Sequence, residues 1–290
     1  MAVTIDDLPT ASVVPQSGEW ADRVTRDLLS ALRRHRVPAV GFVNEGKLQV
    51  GGARDAGRVG LLQQWIEAGQ DLGNHGYAHL DLHVVPVEQF TADIARGEPI
   101  TSELLKKAGR QPRFFRHPFL HTGRSPEARA TVQSFLDARG LRVAPVSIDN
   151  YDYVFAAAFD RAAQANDGAA VARIAAAYID YMLAVTAFYE DQALKIVGRE
   201  MRQILLIHAS GLNARTFDEL AGRFAARGYR FIPLERALED TAYSSRDEYY
   251  GSAGVTWLHR WALTRKMPSS TFQGEPPVPD WVSKASGIQP

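Results

Sequence analysis

Asp6 and Asp7 stand side by side, directly after the apolar stretch 3–5. Adjacent side chains at a strand end diverge, so one carboxylate can bind a metal while its neighbour faces a substrate. The plainer alternative is a strand-terminating turn or a helix cap, where Asp is common. In GNHGYAHLDLH, His75 and His79 lie four residues apart, a spacing that on a helical turn points both imidazoles to one face. His83 extends the series as a rival ligand, and such pairs are otherwise ordinary solvated surface. Two imidazoles and one carboxylate around a metal leave positions open for water and substrate. A second carboxylate one residue away can then take the water's proton.

Further candidates follow other apolar segments. Arg116 comes after Phe114-Phe115; it is either a surface cation or, beside Asp6, the charge that keeps that carboxylate ionised and oriented. His117 and His121 are also four apart, but Pro118 between them works against a helical turn. Asp149 and Asp152 follow the stretch ending at Ile148, as caps or as site residues. His208 follows 204–207. It is a structural histidine unless it meets a carboxylate such as Asp152, which would raise its pKa and make it an acid for a leaving group.

The elements that must position these residues alternate along the chain. Strands are expected over 3–5, 39–43, near Leu72, at 114–115, over 141–148, 204–207 and 229–232. Helices are expected over 19–36, 59–68, 87–108 with a break at 97–99, 126–139, 156–198 with a break at 166–168, and 216–227. Beyond 241 the pattern degrades, and Pro276, Pro277 and Pro279 mark an irregular tail. Such alternation predicts a mainly parallel α/β sheet, and the candidates sit at the carboxyl ends of its strands, where ligands bind in such folds. Tyr249, Tyr250, Trp257, Trp261 and Trp281 in the tail are read as packing rather than sugar-stacking residues.

Composition narrows the partners. Thirty-three basic residues balance 33 acidic ones in 290, which gives no support for nucleic acid or an anionic surface held by bulk charge. No cysteine is present, so a metal must be held by His, Asp or Glu. No apolar run reads as a membrane span, and no secretion signal is visible. The compartment is expected to be periplasmic or extracellular if a leader has been removed, and cytoplasmic otherwise; the oligomeric state is left open.

Thr4-Ile5-Asp6-Asp7, His75 to His79, Arg116-His117-Pro118-Phe119, Asp149 to Tyr153 and Leu206-Ile207-His208, in this order, resemble the polysaccharide deacetylase family with the NodB homology domain, carbohydrate esterase family 4. The resemblance implies a distorted (β/α) barrel with an incomplete strand count, a TIM-like barrel here carrying a helical insertion at about 156–198 and an irregular C-terminal extension at about 241–290, all in one catalytic domain over 1–290. It implies Asp6 as general base, with Asp7, His75 and His79 holding a divalent metal, zinc first and cobalt, manganese or nickel as alternatives. Arg116 would orient Asp6, and Asp152 would support His208, the general acid. Leu206 would line the acetyl-methyl pocket, the backbone near Phe119 would help bind the oxyanion, and Phe119 and Tyr153 would contact substrate. Leu8, Gly76, Phe119 and Tyr153 depart from the family's usual Gly, hydroxyl residue, Tyr and Trp, which bears on substrate rather than chemistry.

The activity this implies is metal-dependent removal of acetyl groups from an oligo- or polysaccharide. N-acetylglucosamine units of peptidoglycan or chitin-type chains come first and O-acetylated xylan next. The alternatives are hydrolysis of a small non-sugar amide and a non-catalytic carbohydrate-binding protein on the same fold.

Overall fold

The computed structural model describes residues 1–288, so the last two positions of the expected extension lie outside it. Its strands are β1 Ala2–Leu8, β2 Ala39–Val43, β3 Gln49–Val50, β4 Ala53–Arg54, β5 Asp71–Asn74, β6 Phe114–Phe115, β7 Arg142–Val143 and β8 Ile204–His208. Six form one sheet in the order β7-β6-β5-β2-β1-β8, while β3 and β4 make a separate hairpin. Every pairing in the large sheet is parallel. That fits β2, whose five residues are all buried, because a parallel strand covered on both faces has no polar side. The fold is the expected curled, strand-poor (β/α) barrel.

The sequence predicts one strand over 141–148, and the structure divides it. Residues 142 and 143 pair with β6, whereas Ile148 makes an isolated parallel bridge to Leu205 of β8. Pro145 lies between and has no N–H to give a ladder. The break lets a single segment reach both edges of the sheet, which is how the sheet curls round. A second correction concerns 229–232, which is not a strand. It lies against Met1 through Ile232 N–H to the Met1 carbonyl (2.9 Å) and the Met1 amine to the Arg230 carbonyl (2.8 Å), and Pro233 ends the pairing.

The helices are α1 Gly18–Arg34, α2 Ala56–Glu67, α3 Val87–Arg96, α4 Pro99–Lys107, α5 Pro126–Asp137, α6 Asp152–Gln164, α7 Gly168–Val197, α8 Gly211–Ala226, α9 Leu234–Ala237, α10 Trp257–Thr264 and α11 Asp280–Ser286. The expected breaks at 97–99 and 166–168 are present, the second because Asp167 caps α7 by accepting from Ala170 N–H. α1 packs on α2 and α8, and α7 packs on α6, α8 and α10. Contrary to the expectation of no membrane span, α7 is long and apolar enough to cross a membrane by length and composition. Here Tyr178, Met182, Val185 and Gln192 form a buried stripe on it, the helical spacing of a core helix.

The tail is less irregular than expected, because α10 and α11 fold back onto the core. Trp261 is wholly buried and meets Tyr243 edge-on at 5.8 Å, while Trp257 and Trp281 pack against core clusters. Packing is thus the role of these three rings in the fold. Trp261→Ala is expected to cost about 3–5 kcal/mol of unfolding free energy. Urea denaturation measures this; a loss under about 1 kcal/mol would show that the tail is only loosely held.

Close backbone approach braces the loop that follows β5. Gly97, at the end of α3, lies so near this loop that a Cβ would stand 2.7 Å from the Gly76 carbonyl carbon and 2.8 Å from Tyr77 N. Its φ of −85° suits any residue, so the demand for glycine is purely steric. Gly97→Ala should displace the His75–His79 loop and lower any metal affinity of that histidine pair roughly 10–100-fold, as loss of outer support does elsewhere. Chelator competition reads this directly, and an affinity equal to the parent's would mean the loop is not braced at Gly97.

Candidate metal-dependent hydrolase site

The site starts from an irregularity in β1. The register with β2 runs Ile5↔Gly41 and then Leu8↔Val43, so β1 carries one extra residue there. Asp7 takes φ 71° in this bulge, which re-aims side chains at a strand end. Asp6 is buried and pairs in register with His208 on β8. Two adjacent acids therefore reach one cleft along different directions.

The second segment is the loop after β5. His75 N–H donates to the Val43 carbonyl (3.0 Å), and Asn44 Nδ2 donates to the His75 carbonyl (2.8 Å). The expected helical turn over 75–79 is absent. His79 instead has φ 56°, and a sharp loop brings the two imidazole centroids to 4.7 Å, edge to face. Asp93 of α3 holds that loop by accepting from Tyr77 N–H (2.9 Å) and Ala78 N–H (3.0 Å). A Cβ on Gly76 would stand 2.6 Å from Asp93 Oδ2, and Gly76 has φ 76°. The glycine at that position is therefore a condition of the Asp93 brace.

Asp7 Oδ1 lies 3.8 Å from His75 Nε2 and 3.8 Å from His79 Nε2. One ligand atom from each residue falls within 4.8 Å of the others, and Asp7 Oδ1 is buried without a hydrogen-bond partner. An orphaned carboxylate oxygen facing two imidazole nitrogens suits a divalent cation, so the residues fit one. His75 Nδ1 lies 2.8 Å from the Arg116 carbonyl oxygen. A carbonyl only accepts, so Nδ1 carries the proton and Nε2 keeps its lone pair for a metal. Burial pushes His75 and His79 down to about 4, which keeps both neutral, the ligand form. Burial would raise Asp7, but the charges of Lys47 and His208 outweigh it and hold the carboxyl well below the usual carboxylate range. Lys47 Nζ also donates to the Asp7 carbonyl (3.0 Å).

Arg116 has no solvent exposure. Its Nε lies 3.7 Å from Asp6 Oδ2, and its Nη2 donates to Thr4 Oγ1 at 2.6 Å. Burial raises the pKa of Asp6, and Arg116 is the chief opposing charge. Across the cleft, His208 Nδ1 is 2.7 Å from Asp152 Oδ1, leaving Nε2 free. Asp152 Oδ2 accepts from His208 N–H (2.7 Å) and Asn213 Nδ2 (2.8 Å), and Tyr178 OH donates to Asn213 Oδ1 (2.6 Å). Burial acts to lower His208, but Asp152, helped by Asp7 and Asp6, outweighs it and lifts the imidazole to about 10. Burial also pushes Asp149, on the cavity wall, up to about 7.

Asp6, Asp7, Lys47, His75, His79 and His208 line a cavity of about 710 Å³. Leu206 and Asp149 belong to its wall, Tyr153 and Phe119 stand exposed at it, and Gly254, Val255, Thr256, His259 and Glu275 of the extension close one side. The Phe119 ring lies 4.6 Å from His79. Tyr249, Tyr250, Trp257, Trp261 and Trp281 are not among the lining residues. His83 and His121 do not join the Asp7 set; they form a separate cluster with Asp81. His117 is buried beside Phe90 and Phe115 and touches the same cavity. Lys47, Asp93, Asn213 and Tyr178 were not read from the sequence, because no local spacing ties them to a ligand or a proton.

The sequence profile of the family described as "Polysaccharide deacetylase" matches residues 1–135. A comparison with curated protein sequences finds no match. Among solved structures, the Bc1960 peptidoglycan N-acetylglucosamine deacetylase aligns with TM-score 0.52 and 17% identity, over 81% of this chain and 86% of that one. A mutant of BA3943, a carbohydrate esterase family 4 pseudoenzyme from Bacillus anthracis, aligns with TM-score 0.51 and 15% identity, over 82% of this chain and 66% of that one. This chain thus spans just under two-thirds of the BA3943 chain. At these identities the likeness concerns the fold. Residues 1–135 thus match the polysaccharide deacetylase family profile, and the barrel they begin has the fold of the carbohydrate esterase family 4 structures.

Proposed function

We propose that this chain is a metal-dependent deacetylase that hydrolyses acetyl groups on a glycan, with N-acetylglucosamine units of peptidoglycan or chitin-type chains as the leading substrate. The reading rests on one observation above all: the Asp7, His75 and His79 ligand atoms lie within 4.8 Å of one another, beside the buried Asp6 and in the same cavity as His208, which Asp152 holds from behind. The family of residues 1–135 and the name of the Bc1960 enzyme support it. Because a BA3943 mutant on this fold is described as a pseudoenzyme, the case for turnover depends on the proton-transfer residues and not on the barrel. We read the whole of 1–290 as one catalytic domain, since the extension shares the cavity wall with the barrel.

Asp7, His75 and His79 would hold the divalent ion, zinc in our reading. When bound, it supplies Lewis acidity that lowers the pKa of water and polarises the acetyl carbonyl. Asp6 accepts the proton of the attacking water. Its burial raises its basicity, and Arg116 keeps it charged and aimed. The backbone at Phe119 assists the oxyanion as charge develops there. His208, held as imidazolium by Asp152, gives its Nε2 proton to the departing amine nitrogen, and acetate is released. Leu206, nearly buried in the wall, receives the acetyl methyl group, while Tyr153 and Phe119 contact the sugar.

Asp6→Asn should abolish acetate release from N-acetylglucosamine oligomers while retaining bound metal, and His79→Ala should lose metal and activity together. Near-parental turnover by Asp6→Asn would remove Asp6 from the role of base. A second expectation concerns pH. The acid must be protonated, so activity falls as pH rises through the pKa of His208. Asp152→Asn removes the charge that raises that pKa. The alkaline limb of kcat/KM should therefore move to lower pH by roughly 1–3 units. If the limb stays where it was, His208 is not the titrating acid.

A further inference from the structure

Asp81, His83 and His121 gather at the rim of the Phe119 loop, and nothing in the proposed reaction uses them. One ligand atom from each lies within 4.8 Å of the others. The carboxylate is already fixed between the two histidines, with Asp81 Oδ1 accepting from His83 N–H at 2.8 Å and lying 2.7 Å from His121 Nδ1. The two rings stack at 3.9 Å with planes 8° apart. His83 Nδ1 lies 3.4 Å from the Ser252 carbonyl oxygen, while its Nε2 is buried and has no hydrogen-bond partner. A carbonyl accepts only, so the proton sits on Nδ1 and the orphaned Nε2 is a lone pair without a donor. Leaving such an acceptor unmet is unfavourable.

We propose that Asp81, His83 and His121 form a second cation site, distinct from the Asp7 set, for a transition-metal ion of the zinc, cobalt or nickel class. Two imidazoles and a carboxylate favour those ions over magnesium or calcium, which want oxygen ligands. Metal–nitrogen bonds of about 2.0–2.1 Å require the donors to draw closer than they stand, and both histidines are partly exposed. The ion would tie together three separate stretches. Asp81 and His83 follow the catalytic loop, His121 follows Phe119, and Ser252 belongs to the extension. The Phe119 ring lies 4.6 Å from His79 and 5.8 Å from His121, so cation binding here would hold Phe119 against the first site.

The test is metal stoichiometry. Chelator-stripped full-length protein is dialysed against zinc chloride, and zinc per chain is measured. The unsubstituted chain should hold two equivalents; His83→Gln, Asp81→Asn and His79→Ala should each hold one, and His79→Ala combined with His83→Gln should hold none. Titration of the unsubstituted chain with cobalt, followed by visible absorption, gives the same count without any variant. One saturating equivalent that disappears in His79→Ala and persists in His83→Gln overturns the second site and leaves the catalytic reading standing. One equivalent that behaves the opposite way sustains the second site and overturns the catalytic one.

Discussion

A carboxylate withdrawn from water needs nearly all the stabilisation that water supplied; Asp6, Asp7 and Asp149 line one cavity, and Asp152 lies buried behind its His208. Each is met differently. Asp152 has three donors, from the His208 ring, the His208 backbone and Asn213. Asp6 relies chiefly on Arg116, whose Nε lies 3.7 Å from Oδ2, with His208 as a second opposing charge. Asp7 has Lys47, whose Nζ lies 3.6 Å from Oδ1. Asp149 has too little compensation to stay strongly acidic and is pushed up to about 7. The same carboxylate group thus meets four different environments, and environment is what sets whether such a group stays charged, takes a proton or holds a neighbour charged.

The barrel exists to make that arrangement rigid. A parallel sheet delivers the carboxyl ends of all its strands to one side, and here β1, β5, β6 and β8 each end in a residue of the cavity or one directly behind it. Rigidity comes from backbone pairings that continue past the strand ends. His75 N–H pairs with Val43, Arg116 N–H with Asn74 and Ala209 N–H with Asp6. A network from Tyr178 on α7 through Asn213 to Asp152 then extends the support deep into the helical layer. The long helix α7 therefore does more than cover the core, since it anchors the carboxylate that keeps His208 charged.

Much of this was legible because its carriers are local. Asp6-Asp7, His75/His79, Arg116 and His208 each abut a short apolar strand, and strand ends are where such a fold puts chemistry. Legibility failed where the decisive neighbour is distant in sequence. Asp93 reaches the His75 loop only because Gly97 lets α3 approach it, and Lys47 meets Asp7 across β1 and β2. The i,i+4 histidine spacing was read for a helical turn, and a sharp loop with φ 56° at His79 brings the rings together instead. At 141–148 the apolar pattern was real, but Pro145 divided it between two partners. At 229–232 a strand-like composition had only the Met1 edge to pair with.

One wall of the cavity comes from residues 254–275, and Gly254 is pressed so tightly on the Phe119 carbonyl that a Cβ would stand 1.9 Å from it. The floor comes from residues 6 and 7, on a strand whose two neighbours are β2 and β8. During translation the first of those neighbours emerges early and the second some 160 residues later, a delay of roughly 8–30 s at about 5–20 residues per second. For that interval a nascent chain carries an apolar strand with one bare hydrogen-bonding edge, the kind of surface that invites association between growing chains. Ribosome-associated chaperones that shield such edges would matter more to this architecture than to one built from consecutive hairpins.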